Sequence, residues 1–260
     1  SITTPNHTLA GGSSLTVNYS ASDLNTISSL QYAYASDGIN FGALTTLSVG
    51  STSTTWSVPS DNSVNAKLKL VATDSAGNTS STTTNAFAID STVPGTLPIA
   101  RSSAAVSSST TVTINTTCSA EFDKVLYSTS NSIPAANDTA WENCASSKTF
   151  EVSSGDGLKT IYAFTKNGVG TVSNSYSSLS MTLDTTAPTP SLTTPTGPLK
   201  GGAALTLSYS ASDANTLSAL QLSYASDGVN FGTATSLSVG STSSSWTIPS
   251  DNTSAAKLKL

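Results

Sequence analysis

The stretch "SLTVNYSASDLNTISSLQYAYASDGINFG", residues 14–42, decides the fold. In its first seven residues Leu15, Val17 and Tyr19 alternate with polar neighbours, and Leu30, Tyr32 and Tyr34 repeat the pattern further on. A period of two sends one row of side chains to a buried face and the other to water, which predicts half-buried β-strands. Asp37-Gly38 then punctuates the run with the residue pair that tight turns favour. Nothing in the chain sustains a helical period.

Working outward, residues 208–232 read "SYSASDANTLSALQLSYASDGVNFG" and repeat the same text. Residues 191–260 align without a gap to residues 1–70, and about 45 of those 70 positions are identical. The differences keep apolar character: Val17 is matched by Leu207, Ile39 by Val229 and Val58 by Ile248. Between the copies lies a different unit framed by "DSTVP" (90–94) and "DTTAP" (184–188), so the order is A, B, A′. Further alternating runs fall at 54–58, 67–72 and 82–90 in A, and at 111–114, 124–128, 149–152, 159–166 and 178–184 in B. Turn formers separate them, among them Asp74 to Asn78 and Asp156-Gly157. About seven short strands in each stretch of roughly 90 residues predict an all-β chain of tandem immunoglobulin-like sandwiches. The expected domains are A over 1–91, B over 92–186, and A′ over 187–260 as an incomplete repeat of A.

The sequence "LAGGSSLTVNYSASD … YASDGINF … TTWSVP … AKLKLVATDSAGNTS", with "DTTAP" as its linker, resembles the tandem immunoglobulin-like or fibronectin type III-like repeats of large bacterial surface proteins. That resemblance implies sandwiches strung end to end in an extracellular, cell-surface array, a non-catalytic stalk, spacer or adhesive fibre. Its implied partners are other copies of itself, further repeats of the same chain, or host and surface glycans and proteins. Unit B departs from the pattern, with "FTKNGVG" (164–170) where A has "ATDSAGN". The linkers are short, and Pro94 and Pro188 fix φ and restrict the preceding residue, so they predict joints rather than flexible tethers.

Composition narrows the function classes. Charged residues are 10% of the 260, against roughly 25% in ordinary soluble domains, while Ser and Thr exceed a third. A net charge of −5 without a Lys/Arg cluster argues against nucleic acid as a partner. No run approaches the ~20 apolar residues of a membrane-spanning helix, so no membrane insertion is expected in this segment. Cys118 and Cys144 fit one disulfide in an oxidising compartment, with two buried thiols as the alternative. No leader pattern is visible at Ser1, and Leu260 corresponds to Leu70 inside a strand. The expectation is a window on a longer repetitive protein, with a filament completed by donor-strand exchange between chains as the alternative.

Calcium is the sharpest chemical candidate. In an immunoglobulin-like topology the second-to-third and sixth-to-seventh strand loops share the pole that meets the preceding domain. That predicts Asp184 near Asp213, Asp90 near Glu121 and Asp123, and Asp23 paired with Asp74, as possible Ca²⁺ ligands at the junctions. The competing reading is that these carboxylates cap turns locally. Catalysis finds no support: the only histidine, His7, is matched by Gly197, and Glu121, Glu142 and Glu151 show no acid pairing. Trp56 and Trp246 read as core anchors, whereas Trp141 either covers the disulfide or faces solvent as a sugar platform. Asn-x-Ser/Thr triplets begin at Asn6, Asn18, Asn78, Asn115, Asn137 and Asn252. The alternation at Lys67 and Lys69 points both outward, against an isopeptide crosslink.

Overall fold

The computed structural model describes all 260 residues, and its regular elements are strands throughout. The chain is all-β, built of sandwiched sheets. Residues 1–104, 111–152 and 159–180 form one compact unit, and residues 105–110, 153–158 and 181–260 a second.

The first unit opens with β1 (Leu9–Ala10), β2 (Ser14–Asn18), β3 (Ile27–Ala35), β4 (Thr45–Leu47), β5 (Ser53–Ser57), β6 (Ser63–Asp74), β7 (Thr79–Thr83) and β8 (Phe87–Asp90). One sheet runs β1-β8-β6-β3-β4 with β7 also on β6, while β2 and β5 pair separately. Val17 and Trp56 from the small sheet pack with Leu68, Phe87 and Ile89 from the large one, so the two inner faces share a core. The Trp56 ring lies 5.4 Å from Tyr34 and meets Phe87 edge-on at 6.0 Å. Lys67 and Lys69 alternate with the buried Ala66, Leu68 and Leu70, and the Lys69 ammonium sits 5.6 Å above the Phe41 ring.

The run expected at 82–90 is broken in the structure. Thr84 sits between β7 and β8, buried, with its hydroxyl accepting the Leu68 N–H at 3.0 Å. Its own N–H donates to the Leu68 carbonyl. A side chain thus takes one rung of the ladder, which makes the chain step sideways without leaving a buried amide unpaired.

Strands β9 (Ile99–Arg101), β10 (Val106–Ser107), β11 (Thr111–Thr116), β12 (Lys124–Ser128), β13 (Glu142–Asn143), β14 (Ser147–Glu151), β15 (Gly157–Lys166) and β16 (Ser177–Leu183) follow. Within the first unit β14, β11 and β9 make one sheet, and β12 pairs with β13 and β15 in another. Leu97, Phe122, Val125 and Ala163 form a buried cluster against which Cys144 packs. The same hydroxyl device recurs here: Ser173 Oγ accepts the Thr165 N–H at 3.2 Å.

In the second unit β10 runs parallel to the end of β16. Strands β17 (Thr189–Leu192), β18 (Ala204–Ser212), β19 (Leu220–Ala225), β20 (Thr235–Leu237), β21 (Ser243–Thr247) and β22 (Lys257–Lys259) make two sheets, β17-β18-β21 and β20-β19-β22. The repeat keeps its register. Leu15 faces Trp56 as Leu205 faces Trp246, Leu30 faces Leu47 as Leu220 faces Leu237, and Tyr34 faces Leu68 as Tyr224 faces Leu258. Two differences stand out. Strand β3 pairs with β6 from Ala35 back to Ile27, whereas β19 pairs with β22 only over Ser223–Ala225, and an open groove of about 400 Å³ borders Leu217, Leu220, Phe231 and Leu260. Trp56 is buried and Trp246 half-buried, and each ring keeps its tyrosine neighbour, with Tyr224 lying 5.7 Å from Trp246.

Candidate functional site

Five of the seven carboxylates that the sequence offered to calcium, Asp23, Asp74, Asp90, Asp184 and Asp213, accept hydrogen bonds within their own turns. Asp23 accepts the Asn25 N–H and Asp213 the Asn215 N–H, both at 2.8 Å, and Asp184 accepts the Thr186 N–H at 3.3 Å. Asp74 takes the Ala76 and Asn78 amides and the Asn78 side-chain N–H. The Asn78 side chain, followed by its backbone amide, holds the Asp74 carboxyl below its ordinary range. These are Asx turns, in which a short acidic side chain satisfies nearby backbone donors. Asp123 donates its backbone N–H to Lys166, and Glu121 lies beside Gly95. The structure assembles no group of three or more His, Cys, Asp or Glu side chains that could hold a metal ion.

What the structure does organise is the linker. In the first one, Asp90 Oδ1 caps the Thr92 N–H at 2.8 Å. Ser91 donates its N–H to Asn62 Oδ1 and its hydroxyl to the Asp61 carbonyl, each at 2.7 Å. The Asp61 carboxylate in turn accepts the Tyr34 hydroxyl at 2.8 Å, and burial, then this carboxylate, push the Tyr34 phenol upward. A core ring is thereby connected through the turn after β5 to the start of the linker. From the other side, Asn167 Nδ2 donates to Asp90 Oδ2 at 3.3 Å and to the Thr92 carbonyl at 3.0 Å, while Thr165 Oγ1 donates to the Gly95 carbonyl.

The second linker repeats half of this arrangement. Thr185 gives its N–H and hydroxyl to Asp156 Oδ1, both at 2.7 Å, and Thr186 gives its hydroxyl to Asp156 Oδ2 at 2.5 Å. Asp156 lies in the turn between β14 and β15, the topological equivalent of the β5–β6 turn that holds Asn62. The recurring Asp-[Ser/Thr]-Thr is therefore a clasp: the acid caps the chain, and the hydroxyl residues bind an Asp or Asn side chain of the preceding turn.

The clasp gives a pH prediction. Hydrogen bonds from Thr186 and then Thr185 lower the Asp156 carboxyl from 3.8 to about 2. A depressed carboxyl stabilises the fold above its unfolded value and loses that contribution as pH falls toward about 2. Asp227, held by the Asn230 and Val229 amides, is likewise lowered to about 2. Asp156→Asn should therefore lower the urea midpoint near neutral pH, by an amount that shrinks as the titration proceeds below pH 4 and is lost only as the pH falls through about 2. A pH-independent difference would contradict the clasp.

Elsewhere the chemistry is sparse. Cys118 and Cys144 form a disulfide with Cα atoms 5.8 Å apart. Trp141 donates Nε1–H to the Ala135 carbonyl at 2.9 Å, and the Lys166 ammonium lies 4.8 Å from its ring centroid, so one ring face is already occupied by a cation. His7 is exposed and its Nδ1 is 2.9 Å from Asn6 Oδ1. Sequence reasoning missed Asn62, Asp156, Thr165 and Asn167. A signal for the last existed, since "KNGVGT" and "TDSAGN" share an Asx residue three positions before a glycine.

No family model matches the chain, and no curated protein matches it. Solved structures similar to it include the fibronectin(III)-like modules of Clostridium thermocellum CbhA, at 10% identity and a TM-score of 0.37 over 68% of this chain and 88% of that one. The FN1–FN3 domains of chicken CNTN1 are similar at 13% identity and 0.37, over 70% of this chain and 67% of that one. A solved chain from a study of host cell surface retention of a 1.5-MDa bacterial ice-binding adhesin is similar at 14% identity and a TM-score of 0.36, over 92% of this chain and 82% of that solved chain.

Proposed function

We propose that the chain is a non-catalytic structural segment, a stalk or spacer, of an extracellular bacterial surface protein or fibre. In this reading three sandwiches, 1–91, 92–186 and 187–260, belong with the tandem bacterial immunoglobulin-like repeats, and their neighbours are further repeats of the same chain. The observation that carries the reading is the clasped linker. Ser91, Thr185 and Thr186 tie both linkers to the turns that precede them through side-chain hydrogen bonds, where a spacer needs stiffness. A disulfide fits an oxidising compartment, and a hydroxyl-rich, weakly charged surface suits a segment that holds other things apart. No helix is long and apolar enough to cross a membrane.

The test is a binding screen against a glycan array and a panel of soluble host-surface proteins. The expected result is no saturable binding, with wild type and Trp141→Ala indistinguishable. Reproducible binding of one ligand class that Trp141→Ala abolishes would replace the spacer with a recognition module.

A further inference from the structure

We propose that the joint after the first sandwich is closed by an amide latch, in which Asn167 binds the linker carboxylate of Asp90 directly and needs no cation between them. Asn167 is only 5% exposed and its turn is fixed from three sides. Its backbone N–H donates to the Thr171 carbonyl at 3.0 Å, its carbonyl accepts the Gly170 N–H at 3.1 Å, and its Oδ1 accepts the Thr171 N–H at 2.8 Å. With the oxygen committed inside the turn, the amide nitrogen has one place to go. A primary amide carries two N–H donors, and both are used on the linker, one at Asp90 Oδ2 and one at the Thr92 carbonyl. Asp90 Oδ1 is already taken by Thr92 N–H, so both carboxylate oxygens are satisfied by protein donors.

The first sandwich supplies the internal comparison. Asp74 holds the same turn through the same bonds: its N–H to the Asn78 carbonyl, its carbonyl from the Gly77 N–H, and its Oδ1 from the Asn78 N–H. The turn thus folds with either an aspartate or an asparagine at this position. What differs is the second side-chain atom: in Asp74 it is an acceptor oxygen, bonded by the Asn78 side-chain N–H, and in Asn167, where Thr171 stands in place of Asn78, it is a donor nitrogen turned to the linker. With a donor there, the turn attracts a linker carboxylate; with a second carboxylate, like charges would meet at hydrogen-bonding distance and repel. The Thr165 hydroxyl on the Gly95 carbonyl pins the chain a second time just beyond Pro94.

The latch concerns the joint itself and rests on the spacer reading only for its biological use. The test is ¹⁵N relaxation on the full 260-residue chain, comparing amides of residues 1–90 with those of 111–152. For wild type, one shared rotational correlation time is expected, unchanged between EDTA and millimolar calcium. Asn167→Asp preserves the turn, as Asp74 shows, and should split the correlation time into two. The exchange Asp90→Asn with Asn167→Asp restores a donor facing an acceptor at this pair but leaves the Thr92 carbonyl against a carboxylate oxygen, so it should bring the two values closer together than Asn167→Asp alone without merging them fully. Separate correlation times in wild type, a change on adding calcium to wild type, an unaffected Asn167→Asp, or no rescue in the exchanged pair would each overturn the latch. None of these outcomes bears on ligand binding, so the latch and the spacer reading fail separately.

Discussion

Replacing Trp56 with alanine is expected to destabilise the first sandwich by about 3–5 kcal/mol, the cost of deleting a fully buried aromatic side chain and leaving its cavity. The ring sits between Tyr34 and Phe87 and spans the two sheets, so both inner faces lose contacts together. The same change at Trp246 should cost clearly less. That ring is only half-buried, so less area returns to water. Calorimetry on the two variants separates the effects, because a compact unit of the size that holds Trp56 shifts in melting temperature by about 2–4 °C per kcal/mol. Equal shifts would mean that the repeats, alike in sequence and register, are also alike in core packing.

Removing the disulfide should be nearly as costly, and should be confined to the first unit. Cys118 and Cys144 are 26 residues apart, and closing a loop of that length removes about 3–4 kcal/mol of denatured-state freedom. Cys144 also packs against the Leu97, Phe122, Val125 and Ala163 cluster, so the Cys118→Ala, Cys144→Ala pair loses some packing in addition. Urea unfolding under reducing and oxidising conditions provides the check. Reduction should lower the midpoint of the first unit, which holds both cysteines and Trp56, and leave that of the second unit, which holds Trp246, in place. A midpoint indifferent to reductant would show that the crosslink constrains little beyond what the core already fixes.

Much of the strand framework was legible in the sequence because each strand is half-buried and carries its own alternation. Leu15, Val17 and Tyr19 declare β2 and its approach without reference to anything distant, and the gap-free repeat then transfers the register to β18. The joints were legible only in part. Pro94 and Pro188 mark where the chain must stiffen, but the partners of Ser91, Thr185 and Asp90 lie 29, 29 and 77 residues away. Such pairings depend on where loops are carried by the strands between them, which local pattern does not encode. The acidic residues were read by charge and so suggested metal. In the folded chain their nearest donors are the backbone amides two or more positions on, and those donors come with the turn itself. Thr84 illustrates a third limit: a hydroxyl that replaces one backbone rung is indistinguishable in sequence from any other threonine of a hydroxyl-rich strand.

The order A, B, A′ also bears on how such a chain folds without error. Two segments that share about 45 of 70 positions and one register have strands that could exchange between them, a characteristic misassembly of adjacent look-alike domains. Interposing a dissimilar sandwich lengthens the tether between the look-alikes and dilutes each in the vicinity of the other, with a dependence on tether length of roughly the −3/2 power or steeper. The intervening segment, with its own crosslink and a sequence unlike either copy, sets the look-alike segments apart along the chain.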